Sequence, residues 1–305
     1  MTGPEGWPAL PYEAWKDTRE TLNLWFQVVG KVKLALNPPE NHWWHVTFAL
    51  TARGLTTGVI PYHNGILEVQ FDFLDHKLSV LTHGGGLKTL RLVPQSVAGF
   101  YRQFMGCLED LGIRVAINTL PSEVKNPVRC DQDEVHASYD GEYSRRFWQI
   151  LLQTAMVLKR HRSRFIGKVS PVHFFWGGFD LALTFFSGRR APERPQADTI
   201  TREAYSHEVI SCGFWPGNQD FPEPAFYVYA APEPDGFSRA AAKPAAAFYN
   251  KGLGEFLLRY DDLRAEARPE AALLDFFSST YEAGTRLGGW DCASLERPAP
   301  ADTVA

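Results

Sequence analysis

One pattern occurs twice in this 305-residue chain, and it restricts the fold more than any other feature of the sequence. In each copy a helical run precedes a histidine and two aromatic residues, which a phenylalanine and a leucine follow at the same offsets. The copies are His42-Trp43-Trp44 with Phe48 and Leu50, and His173-Phe174-Phe175 with Phe179 and Leu181. We interpret the match as an internal duplication. The alternative is chance similarity between two amphipathic α+β segments.

The first copy belongs to a segment with helix, strand and helix patterns in that order. Apolar or neutral residues recur at helical spacing from Trp15 to Leu36, and two prolines then end the run. Between residues 45 and 93, short β-rich runs alternate with turn sequences, which is typical of an antiparallel meander. A second helix, closed by Gly112, and a short strand over residues 113–117 complete the segment.

The second half of the chain repeats this order. A helix begins near Tyr143, and a final helix follows Pro269. Residues 240–247 are of low complexity and predict a loop. The β-rich runs between the two helices cover residues 172–176, 179–188, 203–215 and 225–231.

These patterns predict an α+β fold of two similar helix–antiparallel β-meander–helix units, with a cleft lined by the second unit. The first unit is expected over residues 1–117 and the second over residues 141–290. Residues 118–140 contain prolines and acidic residues without periodicity, so we expect a connector there. The Pro- and Ala-rich end, residues 291–305, is expected to be a disordered tail.

The composition indicates a soluble protein of the cytoplasm. A net charge of −4 argues against bulk attraction to nucleic acid or to an anionic membrane, and no stretch of sequence is apolar for long enough to span a bilayer. The four cysteines lie far apart without a C-x-x-C, so we expect reduced thiols and neither a disulfide scaffold nor a zinc knuckle. The chain has 21 Phe, 11 Tyr and 9 Trp, more rings than core filling needs, so some are expected to line the cleft.

Five distinctive strings are spread over nearly the whole chain. They are Trp7-Pro8-Ala9-Leu10-Pro11, Asn41-His42-Trp43-Trp44-His45, Thr51-Ala52-Arg53-Gly54-Leu55-Thr56-Thr57, Pro171-Val172-His173-Phe174-Phe175-Trp176-Gly177 and Glu203-Ala204-Tyr205-Ser206-His207-Glu208. On these strings the sequence resembles a bacterial family, the domain of unknown function 5996 (DUF5996). Where this chain has Gly178, the family pattern usually has serine. The resemblance implies a family but no activity.

The candidate site lies in the second half, where polar and aromatic residues are densest. Alternate residues of a strand point to the same face, so Tyr205 and His207 should share one face and Glu208 should lie on the other. His207 and Glu208 therefore cannot both bind one metal ion on a regular strand. We expect His173 and His207 to come from neighbouring strands and to face one pocket, with Glu208, Asp180 or a tyrosine as the third group.

Three roles stay open for His173 and His207: a buried imidazole satisfied by hydrogen bonds, a ligand contact, or a metal ligand, which no close-spaced ligand pair supports. We therefore assign no metal and no cofactor. If the protein is an enzyme, which the sequence leaves open, His207 is the expected general base, oriented by Glu208 and sharing its site with His173. The expected ligand contacts are Trp176, Asp180, Arg189, Tyr205, Trp215, Tyr227 and Tyr229.

Three other motifs are expected to be structural. His42 and His45 have no cysteine or third histidine nearby, which favours an aromatic corner over a zinc site. The glycine-rich run at residues 84–89 lacks the spacing of a phosphate loop and predicts a hairpin turn. The basic run at residues 159–164 is typical of a solvated helix end.

Two functions of different classes are compatible with these features. The protein could bind or transform a small organic molecule in an aromatic-lined pocket with a His-centred polar site. Alternatively, it could be a structural or protein-interaction module in which the same residues only fill the core. A pocket on which both histidines converge would favour the first function, and a large exposed apolar patch without a pocket would favour the second.

Overall fold

The computed structural model describes residues 6–63 and 65–298. It has the expected α+β class, with helices and two antiparallel sheets. None of the helices in these two ranges is both long enough and apolar enough to cross a membrane.

The chain forms two compact units that interleave along the sequence. Unit 1 takes the chain up to Leu152 and two later pieces, His173–Leu181 and Trp215–Pro224. Unit 2 takes the rest, which is Gln153–Val172, Ala182–Phe214 and the chain from Ala225 onward. These boundaries differ from the consecutive ranges expected from the sequence, and the segment expected to be a connector belongs to unit 1.

Unit 1 contains the first sheet. Its helices are α1 (Tyr12–Leu36), α2 (Val97–Asp110) and the N-terminal part of α3 (Gly141–Arg162). Its strands are β1 (Ala49–Thr51), β2 (Gly54–Thr56), β3 (Ile60–Tyr62), β4 (Gly65–Asp72), β5 (Lys77–Thr82), β6 (Leu87–Arg91) and β7 (His173–Phe175). The sheet order is β1-β2-β4-β5-β6, with β3 paired to β4, and the pairs are antiparallel. The predicted meander between residues 45 and 93 is confirmed.

The core of unit 1 is aromatic. Phe26 of α1 stacks on Phe71 of β4 with ring centroids 4.0 Å apart, and Trp25 of α1 stacks on Phe100 of α2 at 4.8 Å. All four side chains are buried, as the helical and strand periodicities require. Fully burying an apolar side chain of this size contributes about 1.5–3 kcal/mol.

The two histidine motifs have different backbone conformations. His42 and Trp43 lie in a 3₁₀ turn with φ of 58° and 63°, whereas His173 begins β7. The two copies pair with each other, because the backbone groups of Phe48, which follows the first motif, and of Phe174, which lies within the second, exchange two hydrogen bonds of 2.8 Å. Both motifs therefore contribute to unit 1.

Unit 2 contains the second sheet. Its helices are the C-terminal part of α3, then α4 (Thr199–Ala204), α5 (Tyr260–Arg264), α6 (Pro269–Leu287) and α7 (Cys292–Leu295). Its strands are β8 (Asp180–Arg190, from Ala182 onward), β9 (His207–Trp215), β10 (Ala225–Ala231), β11 (Phe248–Asn250) and β12 (Glu255–Arg259). The order within this unit is β11-β12-β10-β9-β8, and α6 packs against β10.

His161 of α3 lies in the aromatic core of unit 2 and is 1% exposed. Its ring centroid lies 5.1 Å from that of Phe185, 5.4 Å from that of Tyr281 and 6.0 Å from that of Phe277. Neither ring nitrogen has a hydrogen-bond partner among the described residues. Burial lowers the pKa of His161 to about 3, so this imidazole is a neutral core side chain at physiological pH.

The strand expected over residues 113–117 is wrong. Gly112 adopts a φ of 75° and ends α2, and the backbone N–H of Ile113 donates to the Leu108 carbonyl at 2.8 Å. This geometry closes the helix, and residues 113–117 form no strand.

The strand expected from residue 203 begins later, at His207. Asp198 caps α4 by accepting a hydrogen bond of 2.9 Å from the Thr201 backbone, so residues 199–204 are helical. Tyr205 follows this helix and does not lie on a strand. The expectation that Tyr205 and His207 share a strand face is therefore wrong.

Part of the expected disordered tail is ordered. Residues 292–295 form α7, and Glu296 accepts a hydrogen bond of 3.0 Å from the Tyr281 hydroxyl and pairs with Arg164 at 3.1 Å. Residues 299–305 of that tail lie outside the described residues.

Candidate functional site

A polar stripe runs along one side of α1. Arg19, Asn23, Gln27 and Lys31 are spaced four residues apart, which places them on the same side of a helix. The last three are buried. Buried polar groups must find hydrogen-bond partners, so this stripe determines which segments pack beside α1.

Three members of the stripe hold two loops against α1. Asn23 Nδ2 donates to the Trp176 carbonyl at 2.9 Å. Gln27 donates to the Ser122 carbonyl at 2.9 Å and accepts from the Ser122 backbone N–H at 2.7 Å, and Lys31 Nζ donates to Ser122 Oγ at 3.3 Å. Residues 118–140 are thus fixed to α1 through Ser122.

These loops, α1 and residues 215–220 line an open cavity of about 380 Å³, which we call the unit 1 cavity. A cavity of this size is within the range of small-molecule sites. Its lining residues, all of unit 1, are Arg19, Glu20, Asn23, Leu24, Glu123, Val124, Lys125, Asn126, Val128, Asp133, His136, Gly177, Gly178, Trp215, Asn218, Gln219 and Asp220.

Arg19 is the member of the stripe that holds no loop. Its Nε is buried, and within residues 6–63 and 65–298 it donates no hydrogen bond. The guanidinium carbon lies 5.6 Å from the centroid of the Phe179 ring. Burial lowers the pKa of Arg19 below its usual value, against the opposing effect of Tyr12 and Glu20, but a guanidinium stays charged at physiological pH.

Asp133 and His136 form a carboxylate–imidazole pair in the wall of the cavity. Asp133 is completely buried, and its Oδ2 lies 2.6 Å from His136 Nδ1. Its Oδ1 accepts hydrogen bonds of 3.0 Å from the backbone N–H groups of Val135 and His136. This arrangement fixes the imidazole and favours the tautomer with the proton on Nδ1, which leaves the Nε2 lone pair for another group.

Nε2 of His136 has no hydrogen-bond partner in the described part of the chain. The nearest carboxylate oxygen, Glu20 Oε2, lies 3.9 Å away, beyond hydrogen-bond distance. Glu20 itself accepts a hydrogen bond of 3.1 Å from Gln219. Another cavity carboxylate, Asp220, pairs with Lys125 at 2.6 Å.

The backbone around the cavity is strained. Glu123, Asn126 and Phe179 adopt φ of 57°, 49° and 59°, in the left-handed region that residues other than glycine rarely use. Glu123 and Asn126 line the cavity, and Phe179 lies beside Arg19. Such conformations cost about 1–3 kcal/mol each and cluster at functional sites.

His173, one of the histidines expected in the site, is buried in unit 1 and is 4% exposed. Its ring centroid lies 4.8 Å from that of Phe175 and 6.2 Å from that of Trp44, and its Nε2 has no hydrogen-bond partner among the described residues. Burial, with a contribution from the charge of Lys33, lowers the pKa of His173 to about 3. His173 does not line the unit 1 cavity.

Three of the expected ligand contacts lie near that cavity. Trp215 lines it and stacks on Phe221 with centroids 5.8 Å apart. Trp176 packs against α1 so closely that a Cβ at Gly30 would lie 2.5 Å from its ring. Asp180 lies beside the cavity residue Gly178, where an added Cβ would be 2.7 Å from its Oδ1.

Arg189 and Glu208 meet in unit 2. Glu208 Oε2 lies 2.7 Å from Arg189 Nη2 and accepts a hydrogen bond of 2.8 Å from Ser187 Oγ. Arg189 also donates to the carbonyls of Gly288 and Gly289 at 2.6 and 2.9 Å. Glu208 lines a cavity of about 140 Å³, whereas Arg189 mainly ties β8 to the end of α6.

The other expected residues of unit 2 form two small groups. His207 Nδ1 lies 3.1 Å from Ser206 Oγ. Burial, together with the charges of Lys168 and Arg190, lowers the pKa of His207. The hydroxyls of Tyr205 and Tyr229 lie 3.0 Å apart, and the rings of Tyr227 and Tyr229 stack with centroids separated by 6.1 Å, as expected for one strand face. His207 belongs to unit 2 and His173 to unit 1.

Sequence reasoning missed Arg19 and the Asp133–His136 pair. The helical spacing of the polar residues in α1 is a signal that could have identified Arg19. Asp133 and His136 lie in an aperiodic segment, where spacing carries no information about contacts. Within the described ranges, no group of three His, Cys, Asp or Glu side chains is arranged to hold a metal ion.

Comparison with known proteins identifies a family. A family model described as "Family of unknown function (DUF5996)" matches residues 7–297. No curated protein and no solved structure matches the chain.

Proposed function

The chain belongs to the DUF5996 family, and we propose that it binds a small polar organic molecule in the unit 1 cavity. One observation carries the proposal: Arg19 Nε and His136 Nε2, both without a hydrogen-bond partner in the described part of the chain, belong to residues that line the same cavity. A buried polar group such as Arg19 Nε is unfavourable unless a ligand or water completes it, whereas His136 is about a third exposed and can offer Nε2 to a ligand.

We further propose that the site is catalytic and that His136 is the general base, accepting a proton from the ligand or from a water molecule beside it. Asp133 holds the Nδ1–H, so Nε2 can take a proton from a hydroxyl group or from a water molecule beside the ligand. The buried carboxylate then stabilises the resulting imidazolium. General-base catalysis of this kind contributes a factor of about 10²–10⁴ to a rate.

Two exposed valines in residues 118–140 provide a matched test of binding. Val128 lines the cavity and Val135 does not, although both side chains are exposed. Val128→Trp should obstruct the cavity without disturbing the core, and Val135→Trp should not. A library of small polar molecules is screened by thermal shift on the wild-type chain, and each hit is titrated against both variants.

We expect hits whose affinity falls at least tenfold in Val128→Trp and stays within about twofold in Val135→Trp. Hits that bind both variants equally would contradict the cavity as the site. An absence of hits together with a specific protein partner would favour a structural or interaction module.

A second candidate site is the one expected from the sequence, in unit 2. The supporting observation is that Glu208 lines a cavity of about 140 Å³ there. Under this proposal His207 is the base, Glu208 orients it, and Tyr205, Tyr227 and Tyr229 contact the ligand. His207→Ala and Glu208→Gln should then weaken binding of a ligand that Val128→Trp does not affect, and a hit sensitive only to Val128→Trp would contradict it.

The internal duplication, and with it a cleft in the second unit, also remains a proposal. The order of helix, antiparallel strands and helix in both halves supports it. A sequence profile of residues 1–117 from family members should then match a profile of residues 141–290 with His42 aligned to His173. Profiles that do not align would contradict the duplication.

We also propose a cytoplasmic location without nucleic-acid or membrane partners. All four cysteines are free thiols, and the net charge is −4. Burial raises the pKa of Cys130 to about 11, which keeps that thiol protonated and unreactive. Fractionation of cells expressing the chain at native level is the direct test.

A further inference from the structure

The residues that line the unit 1 cavity restrict the chemistry of its ligand. We propose that the bound molecule is an organic anion whose carboxylate or phosphate group pairs with Arg19. This inference rests on the proposed function of the cavity as a ligand site and adds the class of ligand.

The stripe on α1 supplies the first argument. Asn23, Gln27 and Lys31 each donate to a loop of unit 1, at 2.9, 2.9 and 3.3 Å. Arg19 has the same spacing but makes no such bond within the described ranges, and it lines the cavity. A guanidinium presents several N–H groups in a planar fork that matches the oxygens of a carboxylate or a phosphate.

The cavity carboxylates supply the second argument, because they already have partners in unit 1. Asp133 is bound by two backbone N–H groups and His136, Asp220 by Lys125, and Glu20 by Gln219. Glu123 packs against Gly177, where an added Cβ would lie 2.3 Å from its Oε1. None of these carboxylates forms a described ion pair with Arg19.

The setting of Arg19 supplies the third argument. The Phe179 ring lies 5.6 Å from the guanidinium carbon and restricts where the side chain can move. Phe179 adopts a φ of 59°, so the backbone is held in an unusual conformation at the residue that supports Arg19. Arg19 is therefore a preorganised cation and not a freely moving surface charge.

The test titrates the full-length chain with three probes by isothermal titration calorimetry. Inorganic phosphate and succinate supply the two anionic groups, and succinamide is the neutral counterpart of succinate. The variants are Arg19→Gln, which removes the charge, and Arg19→Lys, which retains a positive charge but not the fork. Val128→Trp and Val135→Trp serve as the cavity-blocking variant and its control.

We expect phosphate or succinate to bind the wild-type chain and Val135→Trp, and succinamide to bind at least tenfold more weakly. Affinity for the anion should fall at least tenfold in Arg19→Gln and less in Arg19→Lys, at unchanged far-ultraviolet circular dichroism. Binding of phosphate alone assigns a phosphate group, and binding of succinate alone assigns a carboxylate.

Two results would overturn the inference. One is that neither anion binds the wild-type chain, and the other is that Arg19→Gln binds the anions as tightly as the wild type. A neutral ligand that Val128→Trp loses and Arg19→Gln retains would overturn the anion class while supporting the cavity. Ligands unaffected by Val128→Trp would count against the proposed function itself.

Discussion

The polar residues of unit 1 divide into those that make hydrogen bonds within the unit and those that we propose contact a ligand. Asp133 stabilises its loop, because its oxygens accept hydrogen bonds from two backbone N–H groups and from the His136 imidazole. Arg19 Nε and His136 Nε2 form no hydrogen bond with another group in the described part of the chain. Substitutions should therefore separate loss of stability from loss of binding.

Asp133→Ala should lower the free energy of unfolding by about 2–4 kcal/mol, because it removes the buried acceptor of two backbone N–H groups and of the His136 imidazole. Asp131→Asn in the same loop is the control, since the Asp131 carboxylate is partly exposed and pairs with the exposed Arg129. Urea unfolding at neutral pH measures both changes. Equal, small losses would show that the Asp133 carboxylate does not hold this loop.

The sequence led to His173 and His207 because both lie in strongly patterned strand segments. His173 is indeed buried at the start of β7, but in contact with aromatic rings and away from the lining of the unit 1 cavity. His136 was missed because its hydrogen bond to Asp133 depends on the turn between them, which no periodicity encodes. The hydrophobic pattern predicts which face of a helix or strand a residue occupies, but it does not predict which distant loop packs against that face.

Two buried histidines should make the free energy of unfolding decrease at acid pH. Burial lowers the folded-state pKa of His161 and of His173 to about 3, from an ordinary value of 6.5. The unfolded chain therefore binds more protons between these values, and stability falls as the pH drops below about 6.5. At pH 5 each histidine should cost about 2 kcal/mol relative to neutral pH.

His161→Phe should reduce this loss. Neither nitrogen of His161 has a hydrogen-bond partner among the described residues, so the substitution breaks no described bond in the aromatic core. The difference in unfolding free energy between pH 7 and pH 5, measured with urea, should shrink by about 2 kcal/mol. An unchanged difference would mean that His161 is accessible to protons in the folded state.

Among the elements, α1 makes specific contacts on both its apolar side and its polar side. Its apolar side packs on the first sheet through rings such as Phe26, and its polar stripe holds residues 118–140 through Ser122. Gly30 lies where the Trp176 ring approaches the helix backbone. Because Gly30 has no Cβ, the Trp176 ring can pack against the helix backbone at this position.

Gly30→Ala should destabilise the chain by about 1–3 kcal/mol, because the added Cβ would lie 2.5 Å from the Trp176 ring. Gly106→Ala in α2 is the matched control, since nothing lies within 4 Å of its added Cβ. That change should stabilise by about 0.5–1 kcal/mol, because alanine is the better helix former. Thermal unfolding of both variants distinguishes the two, and stabilisation by Gly30→Ala would contradict the packing.

Elements with a clear periodic pattern could be predicted from the sequence, and elements that depend on a cap or on a pairing partner could not. The helical spacing from Trp15 to Leu36 and the meander between residues 45 and 93 correspond to α1 and to β1–β6. By contrast, α4 begins at the Asp198 cap, and the three-residue β11 is defined by its pairing with β12. A cap or a pairing partner determines such elements, and neither appears in the hydrophobic pattern.

For the whole molecule, the sequence predicted the α+β class. Both antiparallel sheets follow from the strand patterns, yet His173–Leu181 and Trp215–Pro224 belong to unit 1 with the N-terminal part of the chain. The pairing of Phe48 with Phe174 is long in range, and local periodicity carries no information about it. The same long-range contacts bring Gly177, Gly178 and Trp215 to the unit 1 cavity.

The central claim is that this cavity is a ligand site, and a crystallographic fragment screen tests it most directly. Crystals of the full chain are soaked with small anionic, neutral and cationic fragments. We expect bound fragments to concentrate in the unit 1 cavity, anionic ones foremost, with polar atoms within hydrogen-bond distance of Arg19 or His136. Fragments that bind only elsewhere, while the cavity holds none of them, would contradict the claim.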